Sequence, residues 1–190
     1  MALAQHHGCP TRLLDWTSSP NVALHFATCN KDHANDPGVI WCVRRKETIQ
    51  LLPEDARTIL AGKRENIFSL ENLAVWVKSV EAFDSQARGM LIWLEPPSLD
   101  ARIVNQYSFF SALGSLDHPI DWWVDQHPTF VRKIIIPPDL KGPVRDRLDV
   151  LNVTERVLFP GLDGTSAWLS RYYSDTSPAS AQQEVSAVAI

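Results

Sequence analysis

Two continuous apolar runs, Val39-Ile40-Trp41-Cys42-Val43 and Met90-Leu91-Ile92-Trp93-Leu94, constrain this chain most. Each is short and rich in β-branched or aromatic residues, so each reads as a buried strand. Val131 to Ile136 is a further strand, stopped by Pro137-Pro138. Gln106-Tyr107-Ser108-Phe109-Phe110 has the polar–aromatic mixture of another, and Val157-Leu158-Phe159 is a short one.

The helices between them follow no regular beat. Met1 to His7 reads as the last turns of a helix stopped by Gly8, and Pro10 keeps it from resuming. Thr17-Ser18-Ser19-Pro20 offers a cap and a first-turn proline for a helix from Asn21 to about Cys29, with Val22, Ala23, Phe26 and Ala27 on one face. Further helices are expected at about 47–62, 69–81, 99–105, 119–126 and 160–173. Residues 139–152 make an amphipathic helix with Leu140, Val144, Leu148 and Leu151 on its stripe and Arg145, Asp146, Arg147 and Asp149 turned away.

Strands and helices mixed without strict alternation point to an α+β fold: a mixed, mainly antiparallel sheet with flanking helices, rather than a doubly wound parallel sheet. None of the eight glycines forms GxGxxG or GxxxxGK[ST], which argues against Rossmann and P-loop sites. Residues 1–173 are expected to be one domain and 174–190, rich in Ser, Ala and Gln, a frayed tail.

Composition narrows the function classes. With 18 basic and 22 acidic residues the net charge is −4, and the longest basic cluster, Arg44-Arg45-Lys46, reads as a solvated strand end. Nucleic acid is therefore the disfavoured partner. No apolar run reaches the ~18 residues of a membrane span. Three cysteines, Cys9, Cys29 and Cys42, in no metal-like pairing suit a reducing, cytoplasmic compartment.

Chemistry concentrates in Gln5-His6-His7-Gly8-Cys9-Pro10-Thr11-Arg12-Leu13-Leu14-Asp15-Trp16-Thr17. Each residue there has a structural reading. Asp15 can pair with Arg12, Thr17 can be a helix cap, Trp16 can be core, and His6 can bond a carbonyl. A metal site from His6, His7 and Cys9 is disfavoured, because adjacent side chains on a helix end point about 100° apart.

Read as QHHGCPTRLLDWTSSPNVALHFA, residues 5–27 resemble the hallmark segment of the FRG domain family. Arg102 to Phe110 is similar to the family's R-x-x-x-Q-x-G-x-F, and Leu158-Phe159-Pro160-Gly161-Leu162-Asp163-Gly164 to its closing F-P-x-L-D-G. His7 stands where an aromatic is usual and Ser108 where glycine is usual. The Phe-Arg-Gly that names the family is not found upstream of Gln5, so the chain reads as N-terminally truncated relative to it.

The family's motif order is similar to that of ADP-ribosyltransferases. The resemblance therefore implies a split mixed sheet, NAD as substrate, and the setting of bacterial toxins or phage defence. On that analogy Asp15, Thr17 and Gln106 are the candidate catalytic residues, with Gln106 on the strand opening there. His6, Arg12, Trp16 and Tyr107 are the candidate nucleotide-binding residues. Gln106 can orient a ribose hydroxyl but cannot act as a general base. NAD hydrolysis, transfer to an unusual acceptor, and a catalytically silent nucleotide-binding or protein-interaction module all stay open.

Overall fold

The computed structural model describes residues 10–96, 100–114 and 117–174. Along them run β1 (Leu13–Thr17), α1 (Pro20–Thr28), β2 (Gly38–Val43), α2 (Arg45–Thr48), α3 (Glu54–Lys63), α4 (Leu70–Trp76), α5 (Val80–Gln86) and β3 (Leu91–Leu94). Then follow α6 (Ala101–Asn105), β4 (Ser108–Leu113), α7 (Ile120–Gln126), β5 (Val131–Ile136), α8 (Pro138–Val150), α9 (Glu155–Leu158) and α10 (Leu162–Ser174). The fold is α+β, as expected, and its strands pair antiparallel in two small sheets ordered β1-β4-β3 and β2-β5.

Local chemistry sets many of the boundaries. Ser19, Ser69 and Ser79 accept from main-chain N–H groups in the first turns of α1, α4 and α5, and Asp100 does the same for α6. Pro20 opens α1 with a φ already suited to a helix.

The three-stranded sheet has an apolar cluster on each face, as its period of two requires. Ile92 and Ala112 pair on one face and join Leu52, Leu60, Phe68, Trp76 and Phe83, with Leu13 against them. Leu91, Trp93 and Leu113 point the other way and pack with Trp123, Trp16 and Phe109.

Several expectations need correction. The run Val39–Val43 is not a buried strand. It forms a two-stranded ribbon with β5 in which Val39, Trp41, Ile134 and Ile135 are exposed. A continuous apolar run looks the same whether one or two layers cover it.

The helix expected at 47–62 is split by a 3-10 turn at Ile49–Leu51 and by Pro53, which cannot continue a helix. The one expected at 69–81 ends at Trp76. Val77 is extended, and Ser79 caps a new helix. Gln106 is not on a strand: it is the C-cap of α6, Tyr107 turns the chain at φ +51°, and β4 opens only at Ser108. Residues 157–159 are not a strand, since Val157 and Leu158 belong to the short helix α9.

The buried face of α8 also differs from the expected stripe. It carries Lys141, Arg145 and Leu148, while Leu140 and Leu151 are exposed. The expected helix end before Gly8, His6 itself, Leu99, and the tail beyond Ser174 lie outside the described residues.

Candidate functional site

β1 is an edge strand, paired only with β4 among the described residues, and β2 is likewise paired only with β5. Between these two strands and α1 lies a cleft of about 470 Å³. Its walls include Asp15, Phe26, Ile40, Trp41 and Arg102, with Thr17 and Gln106 at the inner corner. Ala23 and Ala27 of α1 keep the floor low. The arrangement combines flat aromatic faces with one carboxylate and one guanidinium. Arg102 lies over the Phe159 ring, 4.7 Å from its centre. Among the described residues its guanidinium has no carboxylate partner.

The residues singled out from sequence divide by environment. The Thr17 hydroxyl donates to the Gln106 carbonyl at 2.7 Å and accepts from the Ser19 N–H at 3.0 Å. The Gln106 side chain is buried and its Nε2 donates to the Leu158 carbonyl at 2.9 Å. The Ser18 N–H donates to the Tyr107 carbonyl at 3.2 Å, and the Tyr107 ring is exposed. Thr17, Gln106 and Tyr107 thus meet at one corner. Asp15 is exposed and lines the cleft.

Two residues turn elsewhere. Trp16 also borders the cleft, but its Nε1 donates to Ser111 Oγ at 2.8 Å and its ring meets the Trp93 edge at 5.2 Å. Arg12 leaves the cleft altogether. It holds Asp84 through both guanidinium arms and lies near the Phe83 ring, beside a separate apolar cavity of about 310 Å³.

The corner extends into a closed ring of contacts. Asn105 Nδ2 donates to the Val157 carbonyl at 2.7 Å, next to the Gln106–Leu158 bond, so α6 is tied to α9. Phe159 then packs against Phe26 of α1, with ring centres 6.0 Å apart. Residues 5–27, 102–110 and 158–164 are therefore joined, through their described members, around the cleft's inner wall.

Behind that wall is a charged group that sequence reasoning missed. His25 on α1 is 1% exposed. Arg145 Nη1 donates to its Nδ1 at 2.6 Å, and Arg145 Nη2 to Glu155 at 2.7 Å. Arg171 bridges Glu155 and Asp149. The signal was present: Lys141, Arg145 and Leu148 recur at helical spacing on α8, but a stripe sought among apolar residues passes over two cations.

The chemistry of His25 is fixed by its partner. A guanidinium can only donate, so Nδ1 must be the unprotonated acceptor. Burial, with the Arg145 charge beside it, pushes the imidazole down to about 4 from its ordinary 6.5. The unfolded chain therefore binds a proton that the folded chain refuses between those two values. Stability is full above about pH 6.5 and falls as pH drops towards about 4, by roughly 1.4 kcal/mol per unit where the difference is one whole proton. Urea melts between pH 7 and 4.5 should show that slope, and His25→Asn should flatten it. An unchanged slope in the variant would assign the loss to other groups.

Among the described residues no group of three or more His, Cys, Asp or Glu is gathered as a metal site, and no helix is long and apolar enough to cross a membrane. Residues 1–36 match the family model of the FRG domain. That match covers β1, α1 and the turn after it. No curated protein and no solved structure matches the chain.

Proposed function

We propose that the cleft between β1, α1 and β2 binds a nucleotide of the NAD or ADP-ribose class, and that the chain is an ADP-ribosyltransferase-like nucleotide-binding domain. The observation that carries this reading is the pairing, in one cleft of about 470 Å³, of aromatic faces from Phe26 and Trp41 with an Arg102 guanidinium free of carboxylate partners among the described residues. Ligand pockets are of this size and make-up: mostly apolar, with a few polar groups that orient the ligand. The rings offer stacking faces, and the planar fork of Arg102 suits a diphosphate.

Asp15 is the carboxylate of that lining and so the group to set against a ribose. Hydrolysis there would add water across the nicotinamide–ribose bond and release nicotinamide, ADP-ribose and a proton. The developing cation on the sugar is what a nearby carboxylate stabilises. A second reading, a catalytically silent binder, is favoured by the corner itself. The Thr17 hydroxyl and the Gln106 amide nitrogen are both engaged with main-chain groups, so these two lining residues have fewer polar atoms to offer a ligand.

A thermal shift tests both. Ligand at ten times its Kd stabilises the native state by about 1.4 kcal/mol. For a chain of this size that raises Tm by about 3–6 °C. NAD and ADP-ribose at millimolar concentration should give such a rise, and Arg102→Ala should lose it. Nicotinamide release, abolished in Asp15→Asn with binding retained, separates the enzyme from the silent binder. No shift with either nucleotide would end the proposal.

A further inference from the structure

We propose that a second cavity, set between the β1-β4-β3 sheet and the start of α7, binds a small monocarboxylate with an apolar body, its head held by Ser111 and His118. The cavity measures about 300 Å³. The antiparallel register puts Leu14, Ser111 and Trp93 side by side across the sheet, with Leu91 beside Leu113 on the same face. The hollow lies where Leu91, Ser111 and Leu113 meet the turn His118-Pro119-Ile120.

Ser111 is the group that points to a ligand. It is 1% exposed, yet it borders the cavity. Its Oγ accepts from Trp16 Nε1 at 2.8 Å. A hydroxyl also has a proton to donate, and among the described residues no acceptor takes it. Buried polar groups are as a rule paired. A buried hydroxyl with its proton uncommitted beside an open volume is therefore a place for a ligand oxygen.

The other polar groups narrow the ligand. His118 is exposed at the mouth and stacks on Trp122, with ring centres 4.2 Å apart. Its ring nitrogens have no hydrogen-bond partner among the described residues, and an imidazole always has at least one N–H to donate. Arg12 borders the cavity with its charge already met by Asp84, and Thr11 Oγ1 accepts from the Leu13 N–H. Asp117, next to His118, pairs with Arg88 at 3.7 Å and does not line the cavity.

The lining thus offers donors and no carboxylate, so a cation finds no counter-charge there. A sugar would find too few partners for its hydroxyls, because Leu13, Leu91, Leu113 and Ile120 make the walls aliphatic. A carboxylate presents about four lone-pair sites on two oxygens, enough for both donors, and an apolar body suits the walls. At about 30 Å³ per heavy atom the space admits roughly ten, the size of a medium-chain aliphatic acid. None of Ser111, His118, Leu91, Leu113 or Ile120 lines the nucleotide cleft, so this site does not rest on the nucleotide reading.

Isothermal titration calorimetry of the whole chain with octanoate, octan-1-ol and octylamine tests this. Octanoate should bind with a Kd of about 1 mM or below. The alcohol should bind about tenfold more weakly or worse, because hydrogen bonds to a charged group are the stronger ones. The amine should not bind measurably. His118→Ala and Ser111→Ala should each weaken octanoate binding by about tenfold or more, and Ile120→Trp should block it by filling the mouth.

Ser111→Ala also removes the acceptor of the Trp16 N–H, so circular dichroism melts establish that each variant is folded. His118→Ala and Ile120→Trp decide the question if Ser111→Ala is not. The proposal is overturned by no octanoate binding at millimolar concentration, or by a folded variant of any of the three residues that binds like the parent. Equal affinity for the alcohol or the amine would assign the binding to apolar contact alone and overturns it as well.

Discussion

Arg145→Ala is expected to lower stability by about 3–5 kcal/mol, which for a chain of this length is on the order of 10 °C in Tm. The guanidinium is buried and serves two groups at once, His25 Nδ1 and Glu155. Taking it away leaves a buried imidazole nitrogen without a donor and a buried carboxylate with Arg171 alone. Breaking a buried pair from one side is costly for that reason, even where the intact pair adds little net stability. The intact group is itself imperfect, since Arg145 Nε has no hydrogen-bond partner among the described residues.

The effect should reach the cleft. His25 and Phe26 are neighbours on α1, and the Phe26 ring packs on Phe159 just past α9. Urea melts of Arg145→Ala, Glu155→Ala and the double variant form a cycle whose coupling should be well above 0.5 kcal/mol. A loss below about 1 kcal/mol for Arg145→Ala, or additive single effects, would remove the network from the account of the fold.

What could be read from sequence followed local chemistry. Ser19-Pro20 fixes the start of α1, and the β-branched and aromatic runs locate β2 and β3. These signals need no knowledge of distant neighbours. The errors share the opposite cause. Whether Val39–Val43 is covered depends on which strand lies beside it, and the observed partner is one exposed strand 90 or so residues later. Arg145 reads as a solvent-facing residue until His25 and Glu155 arrive to satisfy it.

The site shows the same division. The segment around Asp15 and Thr17 was legible because unusual residue types crowd into it. Arg12 looked like a partner for Asp15 or for a phosphate, but Asp84, 72 residues away, holds it. Trp41 and Arg102, which complete the cleft, gave no local sign of facing it. Arg102 opens the motif that ends at Phe110, yet the motif's more distinctive residue is Gln106, whose amide binds the Leu158 carbonyl. Polar residues in a motif can build a site's walls as readily as its contacts, and only the hydrogen-bond partner distinguishes the two.

Gly164→Ala is expected to cost about 3 kcal/mol or more, from one added methyl group. Gly164 closes the third motif segment, within the first turn of α10. A Cβ built there would lie 1.9 Å from the Phe159 carbonyl oxygen and 2.7 Å from that of Glu155. Both obstacles are main chain, so no side chain can swing aside to make room. Relief requires α10 to move away from α9. That motion would pull Arg171 from Glu155 and disturb Phe159, which supports both Phe26 and Arg102. Gly62, by contrast, has open space around the same added carbon on α3. Gly62→Ala should therefore be neutral or stabilising by up to about 1 kcal/mol, because alanine is the better helix former. Thermal melts of the two variants side by side separate close packing from helix propensity. If Gly164→Ala melts with the parent, the approach of α10 to α9 is looser than described, and the ring of contacts behind the cleft loses its rigid member.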